Sequence, residues 1–134
     1  MNFEKETLLV IAPHADDEVL GCYGLINNIK KKGGKVFVLI VSIGDYKKVG
    51  HGKTTKEIWK KEFLKVKSFL KIDGFDIGYF DNKKMLRLDN IPIIDLVNLI
   101  ESETKVSMFK IKPTIVALPT IFSTHQDHIA VYQA

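Results

Sequence analysis

The chain alternates short, unbroken apolar runs with segments of helical periodicity, and this alternation narrows its architecture more than any other feature. Residues 7–13 (TLLVIAP) and Lys35–Ile43 (KVFVLIVSI) are too continuously apolar to carry a solvent face. Such runs predict strands buried on both sides. Between them Val19, Leu20, Tyr23, Ile26 and Ile29 recur near a 3.6-residue period, which predicts a helix over 19–32. Lys30, Lys31 and Lys32 suit the negative end of its dipole, and Gly33-Gly34 stop it. Residues 44–53 read as a glycine- and lysine-rich loop. Thr54 with Glu57 three residues later forms a capping-box pattern. It opens a second helix to Leu70, with Ile58, Trp59, Phe63, Val66 and Leu70 facing inward. A weaker strand follows at 75–80, then a loop at 81–87. A third helix is expected over 91–106, with Pro92 tolerated in its first turn, and a fourth strand over 114–118. A last helix starts at Asp127 or His128. The order β-α-β-α-β-α-β-(α) predicts an α/β fold whose mainly parallel sheet is covered by helices on both faces.

Size and composition agree with one soluble domain over residues 1–134. With 46% hydrophobic and 27% charged residues, the chain is neither a disordered tail nor a membrane bundle. Its apolar runs fall far short of the roughly 20 residues that span a bilayer. Glu4, Lys5 and Glu6 give no signal-peptide pattern. A single cysteine, Cys22, excludes an intramolecular disulfide and a cysteine-based zinc cluster, so a reducing, cytoplasmic setting is expected. Charge is uneven: residues 30–71 carry thirteen lysines against three acids. That block suits an anionic partner or a plain solvated surface. Arg87 is the one arginine and no nucleic-acid motif accompanies the lysines, so no nucleic-acid partner is expected.

Ligands of parallel α/β sheets bind beyond the carboxyl ends of the strands. Two polar clusters fall there. After the first strand stands His14-Ala15-Asp16-Asp17-Glu18. A short loop offering His and Asp suits a divalent cation. Helix capping is the plainer explanation of one or two of the acids, but it does not account for His14 at the lip of a buried strand. After the fourth strand stands His125-Gln126-Asp127-His128, with Asp127 available to orient an imidazole. Three of the four histidines lie in these clusters. If the fourth strand neighbours the first, both clusters share one mouth. His14, Asp17 and His128 then form a two-His, one-carboxylate set with an open position, as in a catalytic zinc site. Asp16 and His125 remain as acid–base candidates.

Other residues carry less. His51, between two glycines, could contact substrate, and Asp45 could contact substrate or simply form a turn. Cys22 and Trp59 read as packing. The glycines of Gly21-Cys22-Tyr23-Gly24 lack the spacing of a dinucleotide-binding turn.

The string LLVIAPHADDEVLGCYGLI resembles the opening of the PIG-L/LmbE deacetylases, whose signature is His-Pro-Asp-Asp-Glu after the first strand. STHQDHIAV is similar to their second signature, His-x-Asp-His. The resemblance covers nearly the whole chain, and the two motifs come in the family's order. It implies a three-layer Rossmann-like fold and a zinc-dependent amide hydrolase (other divalent metals would also suit), acting on the N-acetyl group of N-acetylglucosamine-type small molecules. His14, Asp17 and His128 match the metal ligands. Asp16 matches the general base, His125 the residue that stabilises the oxyanion when protonated, and Asp127 its orienting partner. Glu18 is expected to support the loop rather than touch metal. Two departures stand out inside the chain: Ala15 replaces the usual Pro, and Trp59 stands where an Arg is common if Glu62 is the matching acid. Family members continue well past His-x-Asp-His, so the resemblance also implies a domain lacking its C-terminal elements. The alternative expectation is a truncated, inactive remnant that keeps the fold or metal site. Such a remnant would pair with another chain, a homo-oligomer included, to cover its last strand.

Overall fold

The structure is a computed structural model and describes residues 3–48 and 52–134. A short 3-10 turn, Phe3–Lys5, leads into β1 (Thr7–Ala12). Then follow α1 (Asp17–Lys31), β2 (Lys35–Ile43), the short strands β3 (Tyr46–Lys48) and β4 (Gly52–Thr54), and α2 (Lys56–Phe69). β5 (Gly74–Phe80) precedes a 3-10 turn at Leu88–Asn90 and α3 (Ile93–Asn98), which widens into a π-turn at Leu99–Glu103. The chain closes with α4 (Met108–Ile111), β6 (Ile115–Ala117) and α5 (Gln126–Gln133).

The main sheet has the order β5-β2-β1-β6, and each neighbouring pair is parallel. Residues 8–12 of β1 and 38–43 of β2 are buried, as their continuous apolar runs require. Successive side chains of β1 go to opposite faces. Leu8 and Val10 join Ile26, Ile29, Val38, Ile40 and Phe63 under α1 and α2. Leu9 and Ile11 join Leu39, Val41, Leu96, Leu99 and Val131 under α3 and α5. The result is the expected three-layer α/β arrangement.

Several local expectations shift, each for a physical reason. Residues 44–53 contain an antiparallel ribbon, with Tyr46 opposite Thr54 and Lys47 opposite Lys53. Facing lysines are an unfavourable cross-strand pair, so nothing in the sequence marks the pairing. Because Thr54 belongs to that ribbon, the α2 cap falls to Thr55, whose side chain accepts from the Ile58 N–H at 3.4 Å. Ile58 is exposed rather than inward-facing, while Phe63 and Leu70 are buried as expected. The single helix expected over 91–106 divides into α3 and the π-turn, with Pro92 just before α3. Leu99, where the turn widens, lies against Gly78 of β5. A Cβ at Gly78 would stand 2.6 Å from a Leu99 methyl. Cys22 is partly buried and packs against the α1 side of the core. His51 lies outside the described residues.

Candidate active site

The β1–β6 pairing, with Leu8 opposite Ile115 and Val10 opposite Ala117, meets the condition for one shared mouth. Both strands run the same way, so the loop leaving β1 and the segment entering α5 emerge side by side. His14 from the first and Asp127 from the second meet there across 113 residues of sequence: His14 Nε2 donates to Asp127 Oδ2 at 2.8 Å.

The first loop is fixed from below and from within. Ser42, fully buried at the end of β2, gives its N–H to the Pro13 carbonyl at 3.0 Å and its hydroxyl to the same oxygen at 3.2 Å. The His14 N–H donates to Asp17 Oδ2 at 3.0 Å. Asp16 has φ 122° and ψ −27°, a conformation that costs an L-residue about 1–3 kcal/mol. Glu18, 1% exposed, holds that turn by accepting the Asp16 N–H at 2.9 Å. Glu18 therefore supports the loop, as expected. The Asp16 side chain makes no capping bond to α1 and instead lines the adjoining cleft. Capping thus leaves Asp16 unexplained.

The second cluster is fixed by a helix start. His125 is the N-cap of α5, and its Nδ1 accepts the Asp127 N–H at 3.2 Å. The neutral tautomer this contact selects carries its proton on Nε2. Asp127 is fully buried. Its second carboxylate oxygen accepts the Leu88 N–H at 2.9 Å, so the loop after β5 pins it. Gln126 adds a bond from its side-chain amide to the Leu86 carbonyl at 3.2 Å. The Asp127 carboxylate therefore orients His14, and only its backbone reaches His125. This differs from the pairing of Asp127 with His125 that the family resemblance implies.

Asp17 Oδ2 lies 3.6 Å from His14 Nδ1 and 3.3 Å from His128 Nε2. Tetrahedral bonds of about 2.0–2.2 Å set their donors about 3.3–3.6 Å apart, so this spacing fits one zinc-sized ion. One donor atom from each of His14, Asp17 and His128 lies within 4.8 Å of the other two. His14, His125 and Asp127 also converge to that degree. In that group, however, His14 Nε2 and Asp127 are spent on each other, and His125 Nδ1 on a backbone N–H. In the first set both facing ring nitrogens stay free, and Asp17 Oδ2, which accepts the His14 N–H, keeps a second lone pair for a cation; the His14–Asp127 bond resembles the carboxylate support that metal-ligating histidines usually have.

Electrostatics follow the geometry. Burial disfavours a charged His14, but the hydrogen bonds and charges of Asp127 and Asp17 outweigh it and raise its pKa to about 9. Asp17 is correspondingly lowered: burial opposes its charge, and the bonds from His14 prevail. Burial and the neighbouring Asp17 charge raise Asp16, and burial raises Glu18. Burial and the nearby His14 charge lower His125. Both act against a second proton on His125, and the Nδ1 contact leaves an Nε2–H donor on the neutral ring.

A cleft of about 590 Å³ opens onto His14, Asp16 and His125. A second, of about 430 Å³, lies on the β6 side and is bordered by Asp17 and His128. Asp45 borders neither of these. It instead ties the β3–β4 ribbon to the start of α2, accepting the Lys56 N–H at 3.0 Å and pairing with Lys53 at 2.6 Å. Sequence reasoning missed Ser42, Leu88 and the loop around Leu86. Their contributions are backbone or buried contacts to residues far along the chain, for which no local pattern exists.

A family model described as PIG-L, GlcNAc-PI de-N-acetylase, matches residues 9–134. No protein with a curated description matches. Among solved structures, the conserved protein TT1542 from Thermus thermophilus is similar at 26% identity and TM-score 0.73, over 96% of this chain and 52% of its own. N,N'-diacetylchitobiose deacetylase from Pyrococcus horikoshii follows at 18% and 0.63, over 94% of this chain and 46% of its own. GalB, a 4-carboxy-2-hydroxymuconate hydratase from Pseudomonas putida, shares the fold at 15% and 0.62, over 96% of this chain and 55% of its own. The chain thus spans about half the length of each structure.

Proposed function

The chain belongs to the PIG-L family, and from that premise we propose that it is a metal-dependent N-deacetylase, hydrolysing the acetamide of an N-acetylglucosamine-type sugar or conjugate. Residues 1–134 form part of one domain of that kind, spanning about half the length of the similar structures. The observation that carries the reading is the convergence of His14 Nδ1, Asp17 Oδ2 and His128 Nε2, with Asp16 and His125 on the cleft side. Zinc is the ion this donor set favours, and when bound it would polarise the acetyl carbonyl and make water more acidic.

The chain's own residues supply the rest. Asp16 accepts a proton from the attacking water, and its raised pKa brings it nearer the range of an effective base. Water oxygen bonds to the carbonyl carbon, and the charge developing on the carbonyl oxygen meets the His125 Nε2–H. The proton held by Asp16 passes to the amine nitrogen as the carbon–nitrogen bond breaks, leaving acetate and the free amino sugar. Asp127 holds the His14 ring in register throughout.

The hydratase fold-mate supports a second reading, since a general base beside a divalent cation also suits addition of water to a double bond. Incubating the zinc-supplemented protein with a panel of N-acetylated sugars and measuring acetate separates the readings. Acetate release that Asp16→Ala abolishes supports deacetylation. A metal-loaded protein that releases none from any sugar contradicts it and leaves hydration or an inactive fold.

A further inference from the structure

The 590 Å³ cleft has room for a sugar ring and a further group, within the usual range for small-molecule sites. Its lining combines His14, Asp16 and His125 with the apolar surfaces of Ile43, Tyr46, Trp59, Met85 and Leu86. Among the described residues no Lys or Arg borders it, although residues 30–71 are rich in lysine. Several lysines of that block are engaged elsewhere. Lys56 and Lys60 stand 5.0 and 5.6 Å from the centre of the Phe80 ring, and Lys53 is paired with Asp45. The floor is acidic, with Asp16 facing the cleft and Asp17 and Asp127 behind it. A divalent ion among three carboxylates leaves no surplus positive charge for a phosphate.

Trp59 sits where α2 meets this cleft, and it also borders a smaller apolar groove with Val19, Phe63 and Val66. Its indole Nε1 is shielded from solvent and has no hydrogen-bond partner among the described residues. The part of the side chain open to the cleft is therefore ring carbon. Such a surface suits the C–H face of a sugar or an apolar aglycone, and it offers an anion nothing.

Building on the deacetylase reading, we propose that the cleft selects an uncharged N-acetyl sugar derivative over a phosphorylated one, and that Trp59 is the platform that makes this selection. An anionic substituent in this cleft would lose its hydration without gaining a cation from any described lining residue, and it would face like charge. Met85 and Leu86 extend the apolar wall for a neutral aglycone. Gly44 makes that wall possible, because any side chain there would collide with the Met85 side chain.

Trp59 is the only tryptophan, so its emission reports on the cleft directly, whether or not turnover occurs. The test titrates zinc-loaded Asp16→Asn protein with butyl N-acetylglucosaminide and with the same glycoside phosphorylated at O6, following fluorescence and, in parallel, heat of binding. The expected result is a saturable change in Trp59 emission with the neutral glycoside and affinity at least about tenfold weaker for the phosphate. In otherwise wild-type protein, Trp59→Ala raises KM for the neutral glycoside about tenfold, with a smaller effect on kcat, and Trp59→Phe restores most of the loss. Equal or tighter binding of the phosphate overturns the proposal. So does saturable heat with unchanged emission, or the absence of binding by either probe. Acetate measurements on the wild-type protein keep the two readings apart. Release without charge preference leaves deacetylation standing and removes this inference, whereas charge-selective binding without release does the reverse.

Discussion

The two polar clusters at the mouth are built in opposite ways. The cluster after β1 is held by its own neighbourhood: Glu18 on Asp16, Asp17 on the His14 N–H, and Ser42 beneath Pro13. The cluster at the start of α5 has local support only for His125. Its buried carboxylate, Asp127, is satisfied by His14 and by Leu88, 113 and 39 residues away. One cluster is thus a strained loop that turns Asp16 onto the cleft, and the other is a relay that ties three distant segments together. Loss of Asp16 from the first should show mainly in chemistry, and loss of Asp127 from the second in both metal retention and folding.

The largest effect on turnover is expected at the strained loop. Asp16→Ala should lower kcat by roughly 10²–10⁴ while the protein keeps its metal, because the residue removed is a base and not a ligand. Steady-state acetate release with parallel metal analysis checks this, and turnover near the wild-type level would remove Asp16 from the role. On the α5 side, His125→Ala should cost roughly 10²–10³ in kcat, as expected for one lost donor to a developing oxyanion. If the donor is the neutral Nε2–H, His125→Gln should recover part of the loss, and a variant as slow as the alanine form would argue against it.

Asp127→Ala distinguishes the relay from the loop. It should weaken metal binding by about 10–100-fold, through loss of the support to His14. It should also lower stability by about 1–3 kcal/mol, because the buried Leu88 N–H loses its acceptor. Competition against a chelating dye and urea denaturation measure the two. A loss confined to His125-dependent turnover, with metal affinity unchanged, would return Asp127 to the role of partner to His125.

The smallest effect is a pH dependence in metal-free protein. His14 is raised in the fold from 6.5 to about 9 by Asp127 and Asp17. A raised folded-state pKa contributes stability that is fully present below about 6.5 and is lost as pH rises through about 9. Chelator-treated protein should therefore show a falling urea midpoint between pH 7 and 9. Metal-loaded protein should not, since the ion occupies the place of that proton. A midpoint that is flat in the chelated protein would contradict the His14–Asp127 pairing.

The fold was legible in the sequence wherever a residue's partners are dictated by hydrophobic pattern. β2 has the expected bounds, and β1 and β5 lie within a residue of theirs, because a strand buried on both faces can be little else. Pattern fails where the determinant lies elsewhere in the chain. The β3–β4 ribbon places Lys47 opposite Lys53 against local preference. The widening at Leu99 accompanies its packing on Gly78, which periodicity over 91–106 cannot register. At the site, the residue types were readable because three adjacent acids and three histidines at strand ends have few bland explanations. The wiring was not. That Asp127 supports His14 rather than His125 depends on which carboxylate oxygen Leu88 engages, and this is decided by the loop after β5.

The proposed chemistry requires the two clusters to serve one ion. Zinc stoichiometry with X-ray absorption at the zinc edge addresses that in a single sample, comparing wild type with His14→Ala and His128→Ala. The expected result is one zinc per chain, with two imidazoles and oxygen donors at about 2.0–2.2 Å, and loss of tight zinc in both variants. Stoichiometric zinc with an unchanged two-imidazole signature in either variant would show that the clusters do not share a metal.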